Sequence, residues 1–138
     1  MLDGMVAIAA GQASRRGEIL NDLPDRFSDV IVFAALAESG WCTPSLAYWT
    51  AIVAVLTAYV GTLSQAVGAT RQYGGVMSKP WRMVVLLIGS YLTFAVFVRE
   101  MLWPLGTPLD WACVVILLGC AQTIWVRLRR TMATLDRR

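Results

Sequence analysis

Residues 3–29 read DGMVAIAAGQASRRGEILNDLPDRFSD, and they run straight into the apolar stretch Val30–Leu36. Five of the chain's nine acidic residues fall here: Asp3, Glu18, Asp22, Asp25 and Asp29. Acid beside segments that look membrane-embedded is costly to keep, so it marks a functional site by default. On a helix, Asn21, Asp25 and Asp29 are spaced i, i+4 and i+8 and share one stripe. Oxygen-bearing side chains on one stripe repel unless a cation or a donor lies between them. Hard divalent cations such as Mg2+ take such oxygens, usually one or two carboxylates together with substrate phosphates. Asp3-Gly4 and the small residues Ala7, Ala9, Ala10 and Gly11 can bring a second acidic segment close to the first.

Pro24 lacks an N–H and suits only the first turn of a helix. That predicts a helix start near Asn21 or Asp22 and a helix reaching about residue 38. Asp22 then has two readings, a cation ligand or a helix N-cap with Asp25 at N3. Asp29 is open between a site residue and a structural partner of Arg26 or Arg82.

Outward from this stretch the chain is apolar. Of its 138 residues 57% are hydrophobic and 15% charged, with a mean hydropathy of +0.59, against about 25% charged in a soluble domain. The expectation is an all-α integral membrane bundle with about four transmembrane helices. Residues 46–68 carry no charge and are long enough for a span. Gly61, Ser64 and Gly68 give that helix a small-residue face for close packing. Met83–Val98 and Trp111–Val126 are shorter runs, extended by snorkelling Arg82, Arg99 and Arg127. Trp81, Trp103, Trp111 and Trp125 fall where an interfacial aromatic belt would lie. Ser78 before Pro80 can open a helix. The basic tail from Arg127 is expected to lie on the membrane surface.

Arg15, Arg16, Arg26, Arg71, Lys79, Arg82 and the C-terminal arginines group on one side, which the positive-inside rule makes cytoplasmic. A bacterial inner membrane fits. The net charge of +3 suits an anionic membrane face and gives no reason to expect nucleic acid. Histidine is absent, which removes His-based catalysis. Cys42, Cys113 and Cys120 form no C-x-x-C and read as small packing residues.

The quoted stretch resembles the signature of the CDP-alcohol phosphatidyltransferase family, membrane enzymes of phospholipid synthesis. That signature is D-x-x-D-G-x-x-A-R, a spacer, then G-x-x-x-D-x-x-x-D. Asp3, Gly4 and Ala7 supply D-G-x-x-A, and Gly17 opens G-E-I-L-N-D-L-P-D. The first acidic position would fall before Met1, the third is Asn21, and the arginine is Ile8. The run G-x-x-x-N-x-x-x-D-R-x-S-D is similar to a branch with asparagine at the first and third acidic positions.

The resemblance implies a six-helix fold. Residues 1–138 would then form a single domain, partial at the N-terminus, without the first helix and most of the second. It implies Mg2+ (or Mn2+) on Asp3, Asn21, Asp22 and Asp25, with Asp25 as the catalytic base. Gly4, Ala7 and Gly17 would let a CDP-linked lipid or alcohol donor approach the backbone. Arg15 or Arg16 would stand in for Ile8, or serve only as a cytoplasmic anchor. Lys79, with Arg71 and Arg127, would meet an acceptor phosphate, or supply plain positive-inside charge. Homodimers are common in the family. The implied reaction transfers a phosphatidyl or related phospho-alcohol group to a hydroxyl and releases CMP. The alternative is a truncated, non-catalytic homologue acting as a structural or interaction protein.

Overall fold

The structure, a computed structural model, describes residues 15–68, 75–98 and 106–136, with the side chains of 15–19 and 21 excepted. Four helices account for them: α1 Arg15–Glu38, α2 Pro44–Ala66, α3 Lys79–Val98 and α4 Pro108–Leu135. No strand occurs among the described residues.

Local chemistry sets the helix ends. Gly40 (φ 73°) turns the chain after α1, and Pro44 occupies an N-terminal position of α2, where its missing N–H costs nothing. α4 opens with a capping box: the Thr107 side chain accepts from the Asp110 N–H, and the Asp110 carboxylate accepts from the Thr107 N–H. Both orphan donors are thereby satisfied. Within the helices, Thr50, Thr57, Thr93, Thr123 and Thr131 donate their hydroxyls to carbonyls four residues back. Such back-bonding satisfies polar groups inside an apolar segment.

The interior is built from small residues and the exterior from large ones. α2 buries Ala47, Thr50, Ala51, Ala54, Thr57, Val60, Gly61 and Ser64, a pattern that brings helix backbones together. Gly89 of α3 lies so near Ala112 of α4 that a Cβ there would sit 2.6 Å from the alanine methyl. Phe33, Leu86, Ile116, Met77 and Cys120 fill the centre. Leu87, Tyr91, Phe94, Leu118 and Trp49 point outward, as side chains facing acyl tails do. Trp81 and Trp111 are exposed in the first turns of α3 and α4, and Trp125 is exposed ten residues before the end of α4. Trp103 lies outside the described residues.

α2, α3 and α4 are each long and apolar enough to cross a membrane; α1 is not, because its first half carries the acidic residues. α1 packs on α2, α2 on α4, and α4 on α3. The N-terminal ends of α1 and α3 therefore share one end of the bundle with the C-terminal ends of α2 and α4.

Four expectations need correction. α1 begins at Arg15 rather than near Asn21, so Pro24 is interior and Asp22 is not an N-cap. The helix tolerates Pro24 because the carbonyl it frees belongs to Leu20, at the exposed end where water can take it up. α3 and α4 outrun their apolar cores, since polar first turns and a basic last stretch continue the same helices. The tail through Leu135 is thus the end of α4 rather than a separate surface segment. Gly68 is exposed, past the end of α2, and only Gly61 and Ser64 belong to the small buried face.

Candidate active site

α1 presents Asp25, Asp29 and Phe33 on one stripe, one turn apart. α3 presents Lys79, Arg82 and Leu86 at matching heights. Lys79 Nζ donates to Asp25 Oδ1 at 2.7 Å, with a longer contact to the Asp25 carbonyl at 3.4 Å. The side chains of Asp25 and Lys79 are 42% and 29% exposed, so this pair borders solvent. One turn deeper, Arg82 NH2 donates to Asp29 Oδ2 at 2.6 Å, with side chains 3% and 0% exposed. Below that, Phe33 and Leu86 join the same apolar core.

Lys79 is held in place from behind. Gly75 (φ 118°) lies against the Thr123 side chain so closely that a Cβ would overlap it. The Met77 N–H donates to Thr123 Oγ1 at 3.1 Å, and Met77 is buried against Gly119. Residues 75–78 are therefore seated on α4, and α3 starts at a fixed height. The Gly74-Gly75 pair reads in the sequence only as a helix break. Nothing in it signals that Thr123 is the surface on which the segment rests.

Asp22 is half-buried and lies 3.9 Å from Arg26, one turn along α1. Arg26 thus turns to Asp22, and the partner of Asp29 is Arg82. Gly17 is in the first turns of α1. Asp3, Gly4, Ala7 and Arg71 lie outside the described residues, as do the side chains of Arg15 and Asn21. Arg127 donates to the Thr57 carbonyl at 2.8 Å on the side of the bundle where α2 meets α4.

Could these residues hold a divalent cation? Asp22 and Asp25 offer carboxylate oxygens, the hard donors that Mg2+ and Mn2+ prefer. The ammonium on Asp25 shows that the position accepts positive charge. Among the described residues no group of three acidic, Cys or His side chains converges; of the four expected ligands, Asp3 and the Asn21 side chain lie outside those residues. The donor chemistry of the remaining pair fits.

A cleft of about 410 Å³ opens between α1 and α3 at the opposite end of the bundle, lined by Leu36, Trp41, Thr93, Phe94, Phe97 and Leu109 among others. Its walls are apolar and carry no acidic residue, so it is separate from the charged site.

No family model matches the chain. A phosphatidylinositol phosphate synthase of Mycobacteroides abscessus is 34% identical over 128 residues, covering 88% of this chain and 56% of that protein. The phosphatidylinositol phosphate synthase of Mycolicibacterium smegmatis is 37% identical over 99 residues, covering 67% of this chain and 44% of that protein. The chain spans about half the length of these curated relatives. The crystal structure of the Mycobacterium tuberculosis phosphatidylinositol phosphate synthase with CDP-DAG bound superposes with a TM-score of 0.72 at 24% identity, over 95% of this chain and 66% of that one. The same protein in complex with manganese and citrate gives 0.73, over 96% and 63%. In motif, in sequence and in the course of its helices, the chain belongs to the CDP-alcohol phosphatidyltransferase family.

Proposed function

We propose that this chain transfers a phosphatidyl or related phospho-alcohol group from a CDP-linked donor to an acceptor hydroxyl and releases CMP. The observation that carries the reading is the Asp25–Lys79 pair. It joins the last acidic position of the signature to the chain's single lysine across two helices, at the polar end of the bundle.

In this reading Asp25 takes the proton of the acceptor hydroxyl as its oxygen bonds to phosphorus and the pyrophosphate P–O bond breaks. A base placed this way contributes about 10²–10⁴-fold. Lys79 occupies Asp25 until a substrate phosphate offers it another partner. Substrate entry therefore exchanges one ion pair for two interactions, a phosphate on the ammonium and a free carboxylate facing the hydroxyl. Asp22 and Asp25 would hold Mg2+ or Mn2+, with Asp3 and Asn21 completing the set. When bound, the ion polarises the phosphoryl oxygens and steadies the charge left on CMP. Gly4, Ala7, Gly17 and Arg15 face the nucleotide in the same reading. The polar end faces the cytoplasm of a bacterial inner membrane, where nucleotides are, and the chain works as a homodimer.

Support comes from the M. tuberculosis protein, whose structures hold CDP-DAG in one case and manganese in the other. The names of the relatives put inositol phosphates first among acceptors to try. The test is CMP release from CDP-diacylglycerol in detergent, with and without Mg2+, for this chain and for Asp25→Asn. Metal-dependent release that falls by about 10²-fold or more in the variant is the expected result. Release that ignores both the metal and the substitution overturns the reading. So does no release with any acceptor, which leaves a non-catalytic membrane homologue.

A further inference from the structure

We infer that Asp29 and Arg82 are positioning residues, whose buried pair fixes the register of α3 against α1 that delivers Lys79 to Asp25. The inference rests on the reading of Asp25 and Lys79 given above, and it concerns two residues that the signature does not assign.

The two helices run side by side in the same direction and meet at three levels: Asp25 with Lys79, Asp29 with Arg82, and Phe33 and Leu86 in the shared core. Their close packing is elsewhere, α1 on α2 and α3 on α4. Interdigitation therefore does not lock α1 to α3 along their length. The outer pair borders solvent on both sides, and an exposed ion pair is too weak to hold a register. The inner pair is out of reach of solvent, where a charge must keep its partner.

The inner pair is also a poor way to gain stability. Asp29 Oδ1 and Arg82 Nε are both buried and have no hydrogen-bond partner among the described residues. One bond is made where a side-on Arg–carboxylate pair makes two. Apolar side chains of similar volume commonly replace such a pair without loss of stability. They would not specify the height at which α3 stands. A slide of α3 by one residue lifts Lys79 by about 1.5 Å and turns it off the Asp25 face. The ion pair forbids that slide, because it would strand two buried charges.

The experiment uses the fact that Lys79 is the only lysine. A water-soluble carbodiimide forms a zero-length amide between the Asp25 carboxylate and the Lys79 amine, located by mass spectrometry of the joined peptides. The whole chain in detergent should give this cross-link. The double variant Asp29→Leu/Arg82→Met should remain monodisperse and melt within a few degrees of the parent. It should lose the cross-link by about tenfold and turnover by up to about 10²-fold, the scale set by a misplacement of order 1 Å. KM for the CDP-linked donor should change less than kcat. Arg82→Lys keeps the charge but shortens the reach, and it should also lower cross-link yield, so a double variant that fails to fold does not remove the test. Parent-level cross-linking in both variants, or in whichever folds, overturns the inference, as does a parent chain that never cross-links. Cross-link yield is read without catalysis. A chain that releases no CMP yet shows this dependence would overturn the proposed reaction and leave the positioning role in place.

Discussion

Asp29 and Arg82 place full charges where no water reaches them. Removing one alone strands the other, so Arg82→Leu should lower stability by about 3–5 kcal/mol, measured as a large drop in melting temperature in detergent, while the double apolar variant should not. Spacing along α1 puts Asp29 on the same stripe as Asp25 but cannot choose between Arg26 and a residue 53 positions away. That choice is made by the seating of α3, which is tertiary. The Asp22 N-cap fails for a related reason. Proline disfavours a helix interior, yet here the helix runs past Pro24 into exposed polar turns. Cys42 shows what burial does to a thiol. Removal from water, then the neighbouring Cys113 thiol and Asp110, push the Cys42 thiol well above its usual range. The folded state therefore favours the protonated thiol. Its contribution to stability is full below the unfolded thiol value of about 8.5 and declines as pH rises above it. Cys42 should resist iodoacetamide at pH 8 in the folded protein and react on denaturation, read by mass shift.

Among the elements, the segment before α3 decides more than its size suggests. Gly75→Ala forces a side chain into Thr123 at a backbone angle that favours glycine. The segment must lift from α4 and take the start of α3 with it. Loss of CMP release, or of the Asp25–Lys79 cross-link, should therefore exceed the loss in melting temperature. At the start of α4, Thr107→Ala should cost about 0.5–2 kcal/mol through its cap. It also removes the hydroxyl that donates to the Trp41 carbonyl at 2.8 Å. The existence and order of the helices are plain from apolar runs and turn residues. Their lengths are not, because the polar turns of α3 and the basic end of α4 count against a span by composition while continuing the same hydrogen-bond ladder.

At the scale of the molecule, three of the described helices meet the length and apolarity of a span, and α1 is divided between a polar and an apolar half. The large side chains turned outward need lipid, and the small ones turned inward let the backbones close. That much follows from composition, since 57% hydrophobic residues exceed what the interior of so small a bundle can hold. The side of the membrane on which Lys79 sits is a separate question with a direct measurement. A membrane-impermeant amine reagent should leave Lys79 unmodified in intact cells and modify it in inverted vesicles. Labelling of intact cells would reverse the proposed orientation.

The turn between α1 and α2 is fastened by residues at the start of α4: Thr43 donates its N–H to Asp110 Oδ1 at 2.7 Å, and the Trp41 carbonyl accepts from the N-cap Thr107. A ribosome delivers that turn to the membrane more than sixty residues before its partners. During translation the α1–α2 turn thus waits with these two backbone groups unmatched until the start of α4 arrives. A nascent chain halted before residue 107 would present an unfinished hairpin to membrane quality control, so such fragments should be short-lived in pulse-chase, whereas chains cut after α4 should persist.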